Sequence, residues 1–158
     1  MNGKKILIAI GFIILSQLAG VIGSFFTFDS VTSWYAFLER PDFAPPNWVF
    51  APVWITLYTM MGVSAFFVYD KGFEKQEVRL AMGLFGLQLG LNALWSIFFF
   101  GLRSPLLGLI CIAALWSAIV LTIASFWRIS KKASIILVPY LLWVSFASIL
   151  NYFIWALN

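Results

Sequence analysis

The sequence predicts an all-α integral membrane protein, a five-transmembrane-helix bundle whose long first loop acts as a lid. Three observations carry that reading. Mean hydropathy is +0.98. Hydrophobic residues make up 63% and charged residues only 10%, where a soluble domain has about half and about a quarter. A folded body of 158 residues cannot hide that much apolar surface from water. Finally, five apolar stretches carry no charge in their middles, and each has the roughly 20 residues a helix needs to cross about 30 Å of hydrocarbon. The stretches are continuous rather than alternating, so they do not read as barrel strands.

The spans fall at approximately 6–28, 49–69, 80–102, 106–127 and 133–157, within one domain covering 1–158. The first follows Lys4 and Lys5 and contains Ala19, Gly20, Gly23 and Ser24. That pattern also fits a signal peptide, but the apolar run is longer than a usual signal core, which favours a retained helix. Asp70-Lys71-Gly72 closes the second span. Gly86 and Gly90, with Gly83 on the same sector, form a small-xxx-small stripe on the third. Such a stripe lets two backbones approach closely, and the partner is either another helix of the bundle or a second copy in a homodimer. Ser104-Pro105 reads as an N-cap followed by proline at the first helical position of the fourth span. Ser130 to Lys132 form a short polar turn before the fifth, and Pro139 should kink that helix near Ile135.

Orientation follows from the basic residues. Lys4, Lys5, Lys71, Lys75, Arg79, Arg128, Lys131 and Lys132 lie on one side, eight in all, against Arg40 and Arg103 on the other. The positive-inside rule places the N-terminus in the cytoplasm and, after five spans, the C-terminus outside. In a prokaryote this would be the cell membrane.

About twenty residues, 29–48, join the first two spans. A connection of that length in a compact bundle is usually functional or disordered. Trp34, Tyr35, Phe37, Leu38, Phe43 and Trp48, stiffened by Pro41, Pro45 and Pro46, do not have the composition of disorder. Residues 30–40 have the makings of a short helix capped by Ser30 or Ser33. Two readings stand together: a lid over the outer mouth of the bundle, or an aromatic belt at headgroup level.

The chemistry is bounded by what is scarce. There is no histidine, which excludes a His-ligated haem, a His-containing zinc site and a His general base. The single cysteine, Cys111, rules out an intrachain disulfide and an iron–sulfur cluster, and reads as a small buried hydrophobe. No metal site and no required cofactor is expected. The net charge of +4 is spread over loops rather than gathered into a stripe, so no nucleic-acid partner is expected.

Polar side chains inside the spans are few, chiefly Gln17, Gln88, Asn92 and Asn151. An amide is costly in lipid, so these should face the bundle interior. Gln88, Asn92 and Trp95 share one face of the third helix by their i, i+4, i+7 spacing. Trp143, Ala147, Leu150 and Asn151 share a face of the fifth, and Trp54 and Tyr58 a face of the second. Apolar walls with a few polar fixtures suit a pocket for a flat, mostly apolar ligand. The same amides also suit simple bonding between neighbouring helices. Spacing alone leaves pocket and glue equally open.

At three places the sequence resembles a known family. The run Pro45-Pro46-Asn47-Trp48-Val49-Phe50-Ala51-Pro52-Val53-Trp54-Ile55-Thr56-Leu57-Tyr58 resembles the start of the second helix in the TspO/MBR family, that of the mitochondrial translocator protein or peripheral-type benzodiazepine receptor. Gln88-Leu89-Gly90-Leu91-Asn92, Trp95 and Phe98-Phe99-Phe100-Gly101 resemble its third-helix signature. Val138-Pro139-Tyr140-Leu141-Leu142-Trp143, Phe146-Ala147 and Leu150-Asn151-Tyr152 resemble its fifth. The likeness runs from Trp34-Tyr35 to Trp155 and is of the bacterial or archaeal type.

The resemblance implies a five-helix bundle, often dimeric, that binds protoporphyrin IX, haem, sterols such as cholesterol, and isoquinoline-type drugs beneath the first loop. Carried over by position, the ligand residues would be Trp54, Asn92, Trp95, Trp143, Ala147 and Leu150, with Tyr35 and Pro46 from the lid; Tyr58 and Gln88 join them as candidates by the helix faces they share with Trp54 and Asn92. The protein would act as a sensor, regulator or sequestering protein. An alternative is light- and oxygen-dependent porphyrin degradation, with Trp54 and Trp143 as the catalytic candidates. A second alternative is transport of porphyrin or sterol. Three departures qualify the likeness. Phe43 and Ala93 stand where the family usually has tryptophan, and no Lys or Arg follows Tyr152, as the cholesterol motif of animal members requires.

Overall fold

The computed structural model describes residues 3–158. Its helices are α1 (Gly3–Ser33), α2 (Phe50–Tyr69), α3 (Gln76–Ser96), α4 (Pro105–Ile129), α5 (Lys131–Ile136) and α6 (Val138–Leu157). Two 3-10 turns, Tyr35–Phe37 and Asn47–Val49, lie between α1 and α2, and a π turn over Ile97–Gly101 extends α3. Among the described residues there is no strand, and five helical segments are long and apolar enough to cross a membrane, α5 and α6 together making the fifth.

The first helix is longer, and the first loop shorter, than the sequence suggests. Ser30 and Ser33 do not cap a new helix. Ser33 Oγ donates to the Asp29 carbonyl at 2.7 Å, one turn back, and Ser30 Oγ donates to the Phe100 carbonyl at 2.9 Å. The chain therefore stays helical to Ser33, and the connection shrinks to 34–49. The short helix expected over 30–40 is reduced to the turn Tyr35–Phe37. Helix α3 likewise begins at Gln76 rather than near 80, with Glu77 in its first turn, where a carboxylate complements the helix dipole. Hydropathy marks the lipid-embedded part of a helix, and both helices run past it.

Other signals land as expected. Ser104 Oγ accepts from the Leu107 N–H, with Pro105 opening α4. Pro139 has no N–H for the Ile135 carbonyl, and the fifth span breaks at Leu137 into α5 and α6. Only Ser130 interrupts the helix before it, accepting from the Ala133 N–H, so Lys131 and Lys132 belong to α5 rather than to a turn.

The helices form a ring in which α1 adjoins α2 and α3, α3 adjoins α4, α4 adjoins α5 and α6, and these return to α2. Lys5 pairs with Asp70 at 2.7 Å, which puts the start of α1 and the end of α2 at one end. At the other end Asn158 bonds to Glu39, and Ser30 to Phe100. One large core of Met61, Phe85, Leu115, Ile119, Phe126 and Tyr140 fills the Lys5 end. A smaller one of Tyr35, Phe99, Leu150 and Ile154 lies under the 34–49 connection.

Candidate functional site

Between the two cores the bundle is not solid. A cavity of about 280 Å³ is walled by α1, α2, the end of α3 with its π turn, and α6, and is roofed by the 34–49 connection. Small-molecule pockets start at about 300 Å³, so this is a compact site. Its walls are aromatic. Trp54 stacks on Tyr58 at 5.5 Å, Trp95 on Phe99 at 5.2 Å, and Trp143 lies against Phe50 at 5.9 Å and Phe146 at 5.5 Å. The π turn brings both Phe99 and Phe100 to the cavity, as one extra residue in the turn re-aims the side chains that follow.

Of the residues singled out in the sequence, Tyr35, Trp54, Tyr58, Trp95, Trp143, Ala147 and Leu150 line this cavity together. The face of α1 is a wall that sequence reasoning missed. Gly20, Gly23, Ser24 and Thr27 line it. The signal was present as two glycines three apart in an otherwise bulky run. A Cβ on Gly23 would come within 2.7 Å of Ser96 Oγ and 3.1 Å of its Cβ, so a larger residue there would make the Ser96 side chain turn and the α1–α3 wall give by a few tenths of an ångström. Ser24 and Ala51 line the cavity yet are exposed, which leaves a gap of small side chains between α1 and α2.

Gln88 and Asn92 do not line it. They sit below its floor, 1% and 2% exposed, in a closed chain of hydrogen bonds. Tyr58 OH donates to Asn92 Oδ1 at 2.6 Å, Asn92 Nδ2 donates to Tyr140 OH at 2.9 Å, and Tyr140 OH donates to Gln88 Oε1 at 2.8 Å. Two tyrosines thus engage the amides that the sequence offered to a ligand, with Gln88 Nε2 turned to Met61 Sδ at 3.8 Å, and the bonds join α2, α3 and α6. Asn151 does line the cavity, nearer the roof, but its amide is likewise engaged. Its Oδ1 accepts from Trp95 Nε1 at 3.0 Å and its Nδ2 donates to the Pro105 carbonyl at 2.8 Å. Gln17 bonds the Ile55 carbonyl and Thr59 between α1 and α2.

One polar atom is left over. Among the described residues Trp143 Nε1 is the single buried side-chain nitrogen or oxygen without a partner. It belongs to a cavity-lining ring. A buried donor left unsatisfied costs about 1–3 kcal/mol, so this N–H is a standing demand for an acceptor.

The roof is held by specific contacts. Tyr35 is 5% exposed and packs edge-on against Phe99 and Phe100. Burial pushes its hydroxyl above the usual tyrosine range, while the nearby Arg40 guanidinium pulls the other way. Arg40 lies over the Tyr35 ring at 5.3 Å and donates to Asn47 Oδ1 at 3.3 Å. Asn47 lines the cavity, whereas Pro46 is exposed outside it. Phe43 packs on Phe153 and Phe146 rather than on the cavity. Leu150 turns inward and Tyr152 outward, 49% exposed, so the two do not form one sterol surface.

The α3 glycines face away. Gly83, Gly86 and Gly90 are exposed, and a Cβ on any of them would meet nothing within 4 Å. They pack against no helix of their own bundle. The close backbone approach inside the bundle is at Gly62, where a Cβ would lie 2.5 Å from Ile13 Cα. Cys111 is buried and its Sγ contacts the Leu91 carbonyl at 3.5 Å. Among the described residues no group of three or more His, Cys, Asp or Glu side chains is placed to hold a metal ion.

The model of the TspO/MBR family matches residues 12–156. The chain is 49% identical over 144 residues to the tryptophan-rich protein TspO of Chlorobaculum tepidum, covering 91% of each chain. It is also 49% identical to the protein of the same name from Archaeoglobus fulgidus, over 92% of this chain and 94% of the relative. It is 36% identical to the translocator protein of Bos taurus, over 95% of this chain and 89% of the relative.

Proposed function

The chain belongs to the TspO/MBR family and is an integral, multi-pass membrane protein, and on that premise we propose that its cavity binds flat, mostly apolar tetrapyrroles such as protoporphyrin IX, as a sensor or sequestering protein. The observation that carries the reading is the mostly apolar, aromatic cavity itself, one of whose lining rings, Trp143, carries a buried N–H without a partner. A guest with a wide π face stacks on these rings, and an acceptor at its rim meets the Trp143 N–H once the indole turns toward it. Each ring pair adds about 0.5–1.5 kcal/mol beyond area burial, and meeting that donor removes its cost. The cavity is too small to enclose a whole macrocycle. The gap lined by Ser24 and Ala51 gives room for one edge to project between α1 and α2. The charge distribution favours the roofed end outside and the Lys5 end in the cytoplasm. The exposed α3 glycines favour pairing of two copies.

With no histidine in the chain, haem iron finds no imidazole ligand here. Metal-free protoporphyrin IX is therefore expected to bind at least as tightly as haem. Tryptophan-fluorescence quenching titrations of both, with the protein in lipid nanodiscs, test this. Haem tighter by tenfold or more would overturn stacking as the source of affinity. Absence of saturable quenching by either would overturn the ligand class.

A further inference from the structure

One side chain fastens the roof of the cavity to the end of the fifth span. Asn158 lies one turn beyond the cavity-lining Ile154 and presents its carboxamide to both backbone groups of a single roof residue, Glu39. Its Oδ1 accepts from the Glu39 backbone N–H at 3.0 Å, and its Nδ2 donates to the Glu39 carbonyl at 3.0 Å. The same Nδ2 donates to the Ile154 carbonyl at 2.9 Å, which fixes the amide in line with α6. A carboxamide is the side-chain group that offers a donor and an acceptor side by side, as a neighbouring strand would. Glu39 adjoins Arg40, which covers Tyr35 and reaches Asn47, and both of these line the cavity. The clasp thus holds the stretch that shapes the ceiling. Its bonds are exposed to water, and such bonds contribute little net. They can close the roof without sealing it.

We propose that Asn158 is the latch of this roof. Breaking its paired bonds to Glu39 frees the 34–49 connection to lift, and the frequency of that opening sets how fast guests enter and leave. The composition of the cavity, and so its equilibrium affinity, is not the latch's concern. The kinetic half of the proposal rests on the tetrapyrrole reading; the structural half does not.

The test uses the full chain in nanodiscs with Asn158→Ala and Asn158→Asp. The second keeps an acceptor for the Glu39 N–H and loses the donor, so it should fall between the wild type and Asn158→Ala. In ligand-free protein, hydrogen exchange of peptides covering 34–46 should quicken about tenfold in Asn158→Ala, while peptides from α2 to α4 stay unchanged. In stopped-flow quenching with protoporphyrin IX, association and dissociation rates should rise together, leaving Kd within about twofold. Unchanged roof exchange would overturn the latch. So would a faster dissociation with an unchanged association rate, since that weakens Kd and marks damage to the cavity rather than release of its cover. If the wild type fails to bind protoporphyrin IX, the tetrapyrrole reading fails, and the exchange measurement still decides the latch.

Discussion

Asn92 and Trp143 are polar side chains at membrane depth, and they end in opposite states. Asn92 accepts from Tyr58 and donates to Tyr140, whereas the Trp143 N–H has no partner. The two substitutions should therefore separate stability from binding. Asn92→Leu strands the Tyr58 hydroxyl in a buried site and should cost about 1–3 kcal/mol, read as a lower melting temperature in detergent. Trp143→Phe removes an unmet donor. It should leave stability within about 1 kcal/mol of the wild type while weakening protoporphyrin IX binding about tenfold. A stability loss as large as that of Asn92→Leu, with unchanged binding, would show that Trp143 is packing alone. This contrast also marks what the residues disclosed. Helical spacing put Gln88, Asn92 and Trp95 on one face but left pocket and glue undecided. The decision lay with Tyr140, which reaches Asn92 and Gln88 across some fifty positions of sequence. No local pattern carries such a pairing.

At the scale of helices, the bundle is set by where backbones can meet. Gly62 is the point where α2 crosses α1, with Ile13 Cα and N and the Phe12 carbonyl all in the path of a Cβ. Gly62→Val should force the helices apart and cost about 1–3 kcal/mol through overpacking, lowering the melting temperature; an unchanged melting temperature would mean that α1 is free to shift. This glycine drew no attention in the sequence, because it has no small partner four residues away, while the periodic stripe of α3 did. Spans, the Ser104 cap and the Pro139 break were legible because each has a local cause: length of apolar run, a hydroxyl at an N-terminus, a missing N–H. Helix ends were not, since α1 and α3 continue past the apolar stretch on local hydrogen bonds and charge placement. The α1 wall of the cavity was hidden for a related reason. Its glycines are read as packing residues only once Tyr58 and Ser96 are known to face them.

At the scale of the whole molecule, the α3 stripe is the part of the surface with a use still to be met. Gly83, Gly86 and Gly90 leave a flat, exposed strip beside Leu87 and Leu94, with open space where side chains would stand. Glycine in a helix interior costs about 0.5–1 kcal/mol relative to alanine, and no contact within the chain offsets it. A second copy packed along α3 would, by close backbone approach. The expected signature is a split between fold and assembly. Gly86→Ala in isolated monomer should be neutral or stabilising by up to about 1 kcal/mol. Gly86→Leu should leave the melting temperature and protoporphyrin IX binding of the monomer intact, and shift native mass spectra in detergent from dimer to monomer. If the dimer survives Gly86→Leu, copies meet on another face. If Gly86→Leu instead unfolds the monomer, α3 is packed against its own chain, and the open strip does not exist.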